Sequence, residues 1–140
     1  MTQSKKVFLA ASAFVAFVDR ANPKHEEAIA FFRYFAQEGY ILFSDNINVI
    51  TAYNNLYRSI SPSLAKDFLR SLSLSDINIL YPEESDAKAA LKALVTFQTT
   101  ELTYQEALMS VLANRRSISQ IYTLDYLHQL FGISLFYLPL

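Results

Sequence analysis

Two rhythms of apolar and polar residues run along this chain. Short runs rich in β-branched and aromatic residues read as buried strands at Lys6–Ala10, Tyr40–Ser44, Ile77–Tyr81, Ser119–Thr123 and Ile133–Tyr137. Between them, apolar residues return every three or four positions, the spacing of one helix face. From about Lys24 to Glu38 that face is Ala28, Phe31, Phe32 and Phe35, with Glu26, Glu27, Arg33 and Gln37 around the other side and Gly39 placed to close the helix as a left-handed cap. Capping signals locate the other helices. Ser12 precedes Ala13–Asp19, which the Asn22-Pro23 pair ends; Asp45 precedes Asn46–Ser59; Ser61-Pro62 opens a helix to about Leu72. Ser85 precedes Asp86–Phe97, and Thr103 precedes a helix from Tyr104 to about Arg115, with Glu106 completing a capping box. Asp125–Leu130 reads as a short helical turn before the last strand and Pro139.

Strands alternating with helices predict an α/β fold, a three-layer α/β/α sandwich around a mostly parallel sheet of about five strands. The chain has 140 residues and no repeat, low-complexity run or linker, so residues 1–140 are expected to form one domain. Its hydrophobic fraction of 52% is high, which suits a sheet covered on both faces or a subunit contact. No apolar run approaches the roughly 18 residues of a membrane span, so no membrane partner is expected.

A net charge of −1 gives no global attraction to nucleic acid, and any RNA contact would need a local patch. The absence of Cys removes disulfides, thiolate metal sites and Cys nucleophiles together, and is compatible with a reducing cytoplasm. Lys5 and Lys6 followed by an apolar stretch have the layout of a secretory signal, yet Asp19-Arg20-Ala21-Asn22-Pro23 is a poor cleavage site. The reading as a buried strand and helix is therefore preferred, and a cytoplasmic location is expected.

Four segments carry a resemblance to a known family. VFLAASAFVAFVD (Val7–Asp19), FSDNINVITAYNNL (Phe43–Leu56), LTYQEALMSVLA (Leu102–Ala113) and IYTLDYLHQLFGI (Ile121–Ile133) resemble, in order and separation, the motifs of PIN domains, the fold of VapC-type toxin ribonucleases. The resemblance implies three or four carboxylates at the carboxyl edge of the sheet, holding Mg²⁺ or Mn²⁺ that activates water against a phosphodiester. The chain departs from that pattern. The first-strand aspartate corresponds to Ala10 and the glutamate of the helix after the second strand to Ile50, while Glu106 and Asp125 keep the other two acidic positions. Ser12, the polar residue after the first acid, is also kept.

Clustered carboxylates repel by about 1 to 4 kcal/mol per pair and are tolerated mainly because a cation is present. Losing two should therefore weaken metal binding sharply, leaving Glu106 and Asp125 as weak metal ligands at most. Asp45 lies near the same edge, but a short acid directly before a helical run is first of all a cap. Apart from the resemblance, Glu106 and Asp125 would be read the same way, since caps are commoner than ligands. His25 and His128 lack the spacing of a metal pair or dyad. Arg115 and Arg116 could meet a phosphate backbone, although the end of a helix, where positive charge suits the dipole, explains them as well. Tyr53 and Tyr57 share a helical face with Ile50, and together with Phe68 in the next helix they form the expected interface of a homodimer.

The sequence is thus read as a PIN-like domain with a degenerate site, acting by binding RNA or, in preference, a protein partner such as an antitoxin or itself. The alternative is a Mg²⁺- or Mn²⁺-dependent endoribonuclease, the toxin of a toxin–antitoxin pair.

Overall fold

The computed structural model describes residues 5–96, 101–125 and 133–138. Five strands form its sheet: β1 (Lys6–Leu9), β2 (Ile41–Asp45), β3 (Asn78–Leu80), β4 (Gln120–Tyr122) and β5 (Ser134–Leu135). Their order is β3-β2-β1-β4-β5, and every adjacent pair is parallel, with Phe8 opposite Phe43 on one side and Ile121 on the other. The chain winds outward from β1 to β3 and then crosses to the far side of β1. That reversal leaves a crevice at the carboxyl ends of β1 and β4, the place where open α/β sheets put their sites.

Among the described residues six helices flank the sheet: α1 (Ala11–Val18), α2 (His25–Gln37), α3 (Asn46–Ser59), α4 (Pro62–Ser73), α5 (Glu84–Thr96) and α6 (Tyr104–Arg115). Strand alternation decides which layer each side chain joins. Val7 and Leu9 pack with Phe31, Phe35, Leu56 and Phe68 of the α1–α4 layer, whereas Phe8, Phe43 and Ile121 pack with Ala90, Leu108 and Leu112 of the α5–α6 layer. Both faces are covered, so the strands can be apolar throughout. Tyr122 stacks on Phe31 at 4.1 Å and places the α2 aromatic stripe against β4. Gly39 closes α2 at φ +71°, where a residue with a Cβ would be strained.

Three caps fall where the sequence places them: Asp45 accepts the Asn48 N–H, Ser61 the Leu64 N–H and Thr103 the Glu106 N–H. Two do not. Helix α1 starts one residue before Ser12, with Ala10 at its cap position and no side-chain cap of its own. Ser12 instead accepts the Leu124 N–H and pairs with the Thr123 hydroxyl, contacts 111 to 112 residues away in sequence. Ser85 lies inside α5, and Asp86 bends back to accept the Glu83 N–H while Arg115 sits 2.6 Å from its other oxygen. Phe68, expected at a subunit surface, is 4% exposed and packs 5.4 Å from Phe14 in the core of the protomer. Strands β1 and β3–β5 are shorter than expected, and the turn placed over Asp125–Leu130 lies, beyond Asp125, outside the described residues.

Candidate functional site

The crevice at the carboxyl edge opens into a cleft of about 870 Å³. Each wall comes from a different element. Ala10 and Ser12 stand at the β1–α1 junction; Thr123 and Asp125 follow β4; Thr103 caps α6, and Gln105 and Glu106 lie in its first turn; and α3 contributes Asn48, Thr51 and Asn55. The last three recur at the three-to-four spacing of one helix face. Parallel strands ending together bring residues 10, 106 and 125 to one place although more than a hundred positions separate the first from the last.

Of the sequence-derived positions, Ala10, Ser12, Glu106 and Asp125 line this cleft. Ile50 does not. It is 54% exposed on the far side of α3, and Thr51 faces the cleft beside it. Asp45 is 1% exposed behind the wall, where its Oδ1 accepts both the backbone N–H and the side-chain amide of Asn48. Its Oδ2 has no hydrogen-bond partner among the described residues, and burial pushes its carboxyl above the usual range despite the bonds from Asn48 that pull the other way. Tyr53 is partly buried and Tyr57 is exposed, their rings 6.0 Å apart on the outer face of α3. His25 donates from Nδ1 to the Ala16 carbonyl, which ties the start of α2 to α1. Arg115 is engaged by Asp86 and by the Ser85 hydroxyl. His128 lies outside the described residues.

Charge in the cleft differs from that of the whole chain. Among the described residues, Asp19, Glu101, Glu106 and Asp125 line it against one cation, Lys24, which itself sits 3.5 Å from the exposed Glu27. Most of the remaining polar lining is neutral hydroxyl and amide. A divalent cation of the Mg²⁺ class needs several converging oxygens, and no three carboxylates or imidazoles converge among the described residues. A methyl group at position 10 cannot supply the missing ligand. The donor set as it stands does not fit a resident ion.

Reading for metal ligands overlooked Asn48, which is 2% exposed and holds three elements together. Its Oδ1 accepts the Ala11 N–H at 2.9 Å and the Gln105 side-chain N–H at 3.2 Å, while its Nδ2 donates to Asp45 at 3.0 Å. Gln105 is bound a second time by the Thr51 hydroxyl. The only local signal was an amide three residues after a capping acid, which marks a helix start and nothing more.

No family profile matches the chain, and no curated protein matches it. Among solved structures it is similar to VapC20 of Mycobacterium tuberculosis, described as a sarcin–ricin loop cleaving toxin. The two share 18% identity over 85% of this chain and 89% of that one, with a TM-score of 0.75. The parallel five-stranded sheet with its two helical layers is a VapC-like PIN fold. No described helix is long and apolar enough to cross a membrane.

Proposed function

We propose that this chain is a PIN-fold binding module that does not cleave RNA, and that its partner is a protein, either an antitoxin-like chain or a second copy of itself. The observation that carries this reading is Ala10. It occupies the carboxyl end of the central strand, lining the cleft with Glu106 and Asp125, and offers a methyl where the fold's chemistry calls for an oxygen. A protein is preferred to RNA because a phosphodiester entering the cleft would meet, among the described residues, four carboxylates and one lysine. Such a role places the chain in the cytoplasm beside its partner.

The test is RNA cleavage by purified protein in Mg²⁺ or Mn²⁺, set against the Glu106→Gln/Asp125→Asn variant. Equal background in both is expected; activity present in the first and lost in the second overturns the proposal. One observation favours a second reading, a Mg²⁺- or Mn²⁺-dependent endoribonuclease of the toxin type. Glu106 and Asp125 do share a cleft, and Mg²⁺ can be held by two carboxylates when waters and a substrate phosphate complete its shell. Calorimetric titration with Mn²⁺ separates the two, since the nuclease reading requires saturable binding that the same double substitution removes.

A further inference from the structure

We infer that Asn48 is a three-way tie that fixes the cleft without a metal, capping α1 from outside the helix and locking the starts of α1, α3 and α6 to one another. The inference stands whether or not the cleft cleaves RNA. Helix α1 begins with Ala10 at its cap position, so no local side chain accepts its first amide hydrogens. Ala11 N–H instead finds Asn48 Oδ1, carried there by another helix 37 residues on. The same oxygen takes the Gln105 amide from α6, and the opposite end of the Asn48 side chain is anchored on the buried Asp45.

Polarity makes the arrangement specific. Asp45 is a pure acceptor in its ionised form, so it draws the NH₂ end of the Asn48 amide and leaves the oxygen facing α1 and α6. With the amide the other way round, two donors would meet two donors and oxygen would meet oxygen. A carboxylate-rich edge built around an ion draws its element ends together through that ion; here neutral amides join the same three junctions. The cleft walls are consequently set in advance of any occupant, and Asn48 acts as a positioning residue that need not touch a ligand.

The experiment is amide hydrogen exchange at Ala11 in the full chain, with the α5 amides as an internal reference. In Asn48→Asp the new carboxylate meets Asp45, and Ala11 is expected to exchange at least 30-fold faster while the α5 reference stays within threefold. Reversing the pair in Asp45→Asn/Asn48→Asp restores one donor facing one acceptor. The amide oxygen now at position 45 still caps α3, and the carboxylate now at position 48 accepts from that amide, from the Ala11 N–H and from Gln105. Ala11 protection is expected to return to within threefold of the parent chain. Space-filling alone would make the double variant no better than the single one, and that result overturns the inference. Should Asn48→Asp not fold, Gln105→Leu removes one arm at the surface and must speed exchange in the first turn of α6 without affecting Ala11. No change at α6, or an equal change at both places, is the opposing result.

Discussion

Asp45 is a carboxylate that the fold uses as a cap and an anchor while denying it water. Burial raises its pKa, so between the ordinary carboxylate value of 3.8 and the raised one the folded chain binds more protons than the unfolded chain. Its contribution to stability is then fully present below the lower value and declines as pH rises through the folded one. Asp45→Asn keeps the cap and removes this dependence. The stability of the parent chain minus that of the variant should fall as pH rises across that window and level off above it, as urea unfolding at a series of pH values would show. A difference that rises instead would mean that hydrogen bonds outweigh burial. Ala10→Asp tests the opposite case, an acid returned where one is missing. It is expected to raise Mn²⁺ affinity at least tenfold, or about 1.4 kcal/mol, by calorimetry. Residue identity, including the absence of an acid at position 10, was readable directly from the sequence, but the direction in which Ile50 and Thr51 point was not. Adjacent helical positions differ by about 100°, and only the packing of α3 against α4 and α1 decides which one meets the cleft.

The elements were legible to the extent that their signals are local. Ser61-Pro62, Asp45 and Thr103 each act on an amide three residues ahead, and all three are observed as expected. Ser61→Ala should accordingly cost about 1 kcal/mol in denaturant unfolding, because α4 loses the acceptor for the Leu64 N–H. A change below a few tenths would show that water replaces the hydroxyl there. Ser12 and Ser85 have the same composition cue, and for them it misled. Ser12 is drawn to Thr123 and Leu124 across the β1–β4 junction, a contact that exists only once the sheet has formed. At α5 the helix already begins at Glu84, ahead of Ser85, and Asp86 inside its first turn reaches back to accept the Glu83 N–H while Arg115 pairs with its other oxygen. Local propensity therefore placed the helices within a residue or two, and tertiary partners chose which side chain closed each end.

At the scale of the whole molecule the outstanding matter is what the surplus of apolar residues serves. Much of it is accounted for by the sheet, covered on both faces, and by the aromatic layer of α2. The outer face of α3 is not. Ile50 at 54% exposed and Tyr57 at 48% stand seven residues apart on one stripe, with Tyr53 half-buried between them. Phe68 does not belong to that stripe, since it turns inward. If a second copy docks there, the two groups of residues must respond differently. Ile50→Lys/Tyr57→Lys should convert a dimer into a monomer in light scattering while leaving the unfolding midpoint nearly unchanged at dilutions where the parent chain is also monomeric, because exposed side chains contribute little to the protomer core. Phe68→Ala should do the reverse and lower stability by roughly 3 to 5 kcal/mol through the cavity it leaves beside Phe14. The stripe alone is too small for a stable interface, which needs on the order of 800 Å² from each partner, so further exposed residues around it would have to join. A parent chain that remains monomeric at several hundred micromolar would remove the second copy from consideration and leave a different protein as the partner of this face.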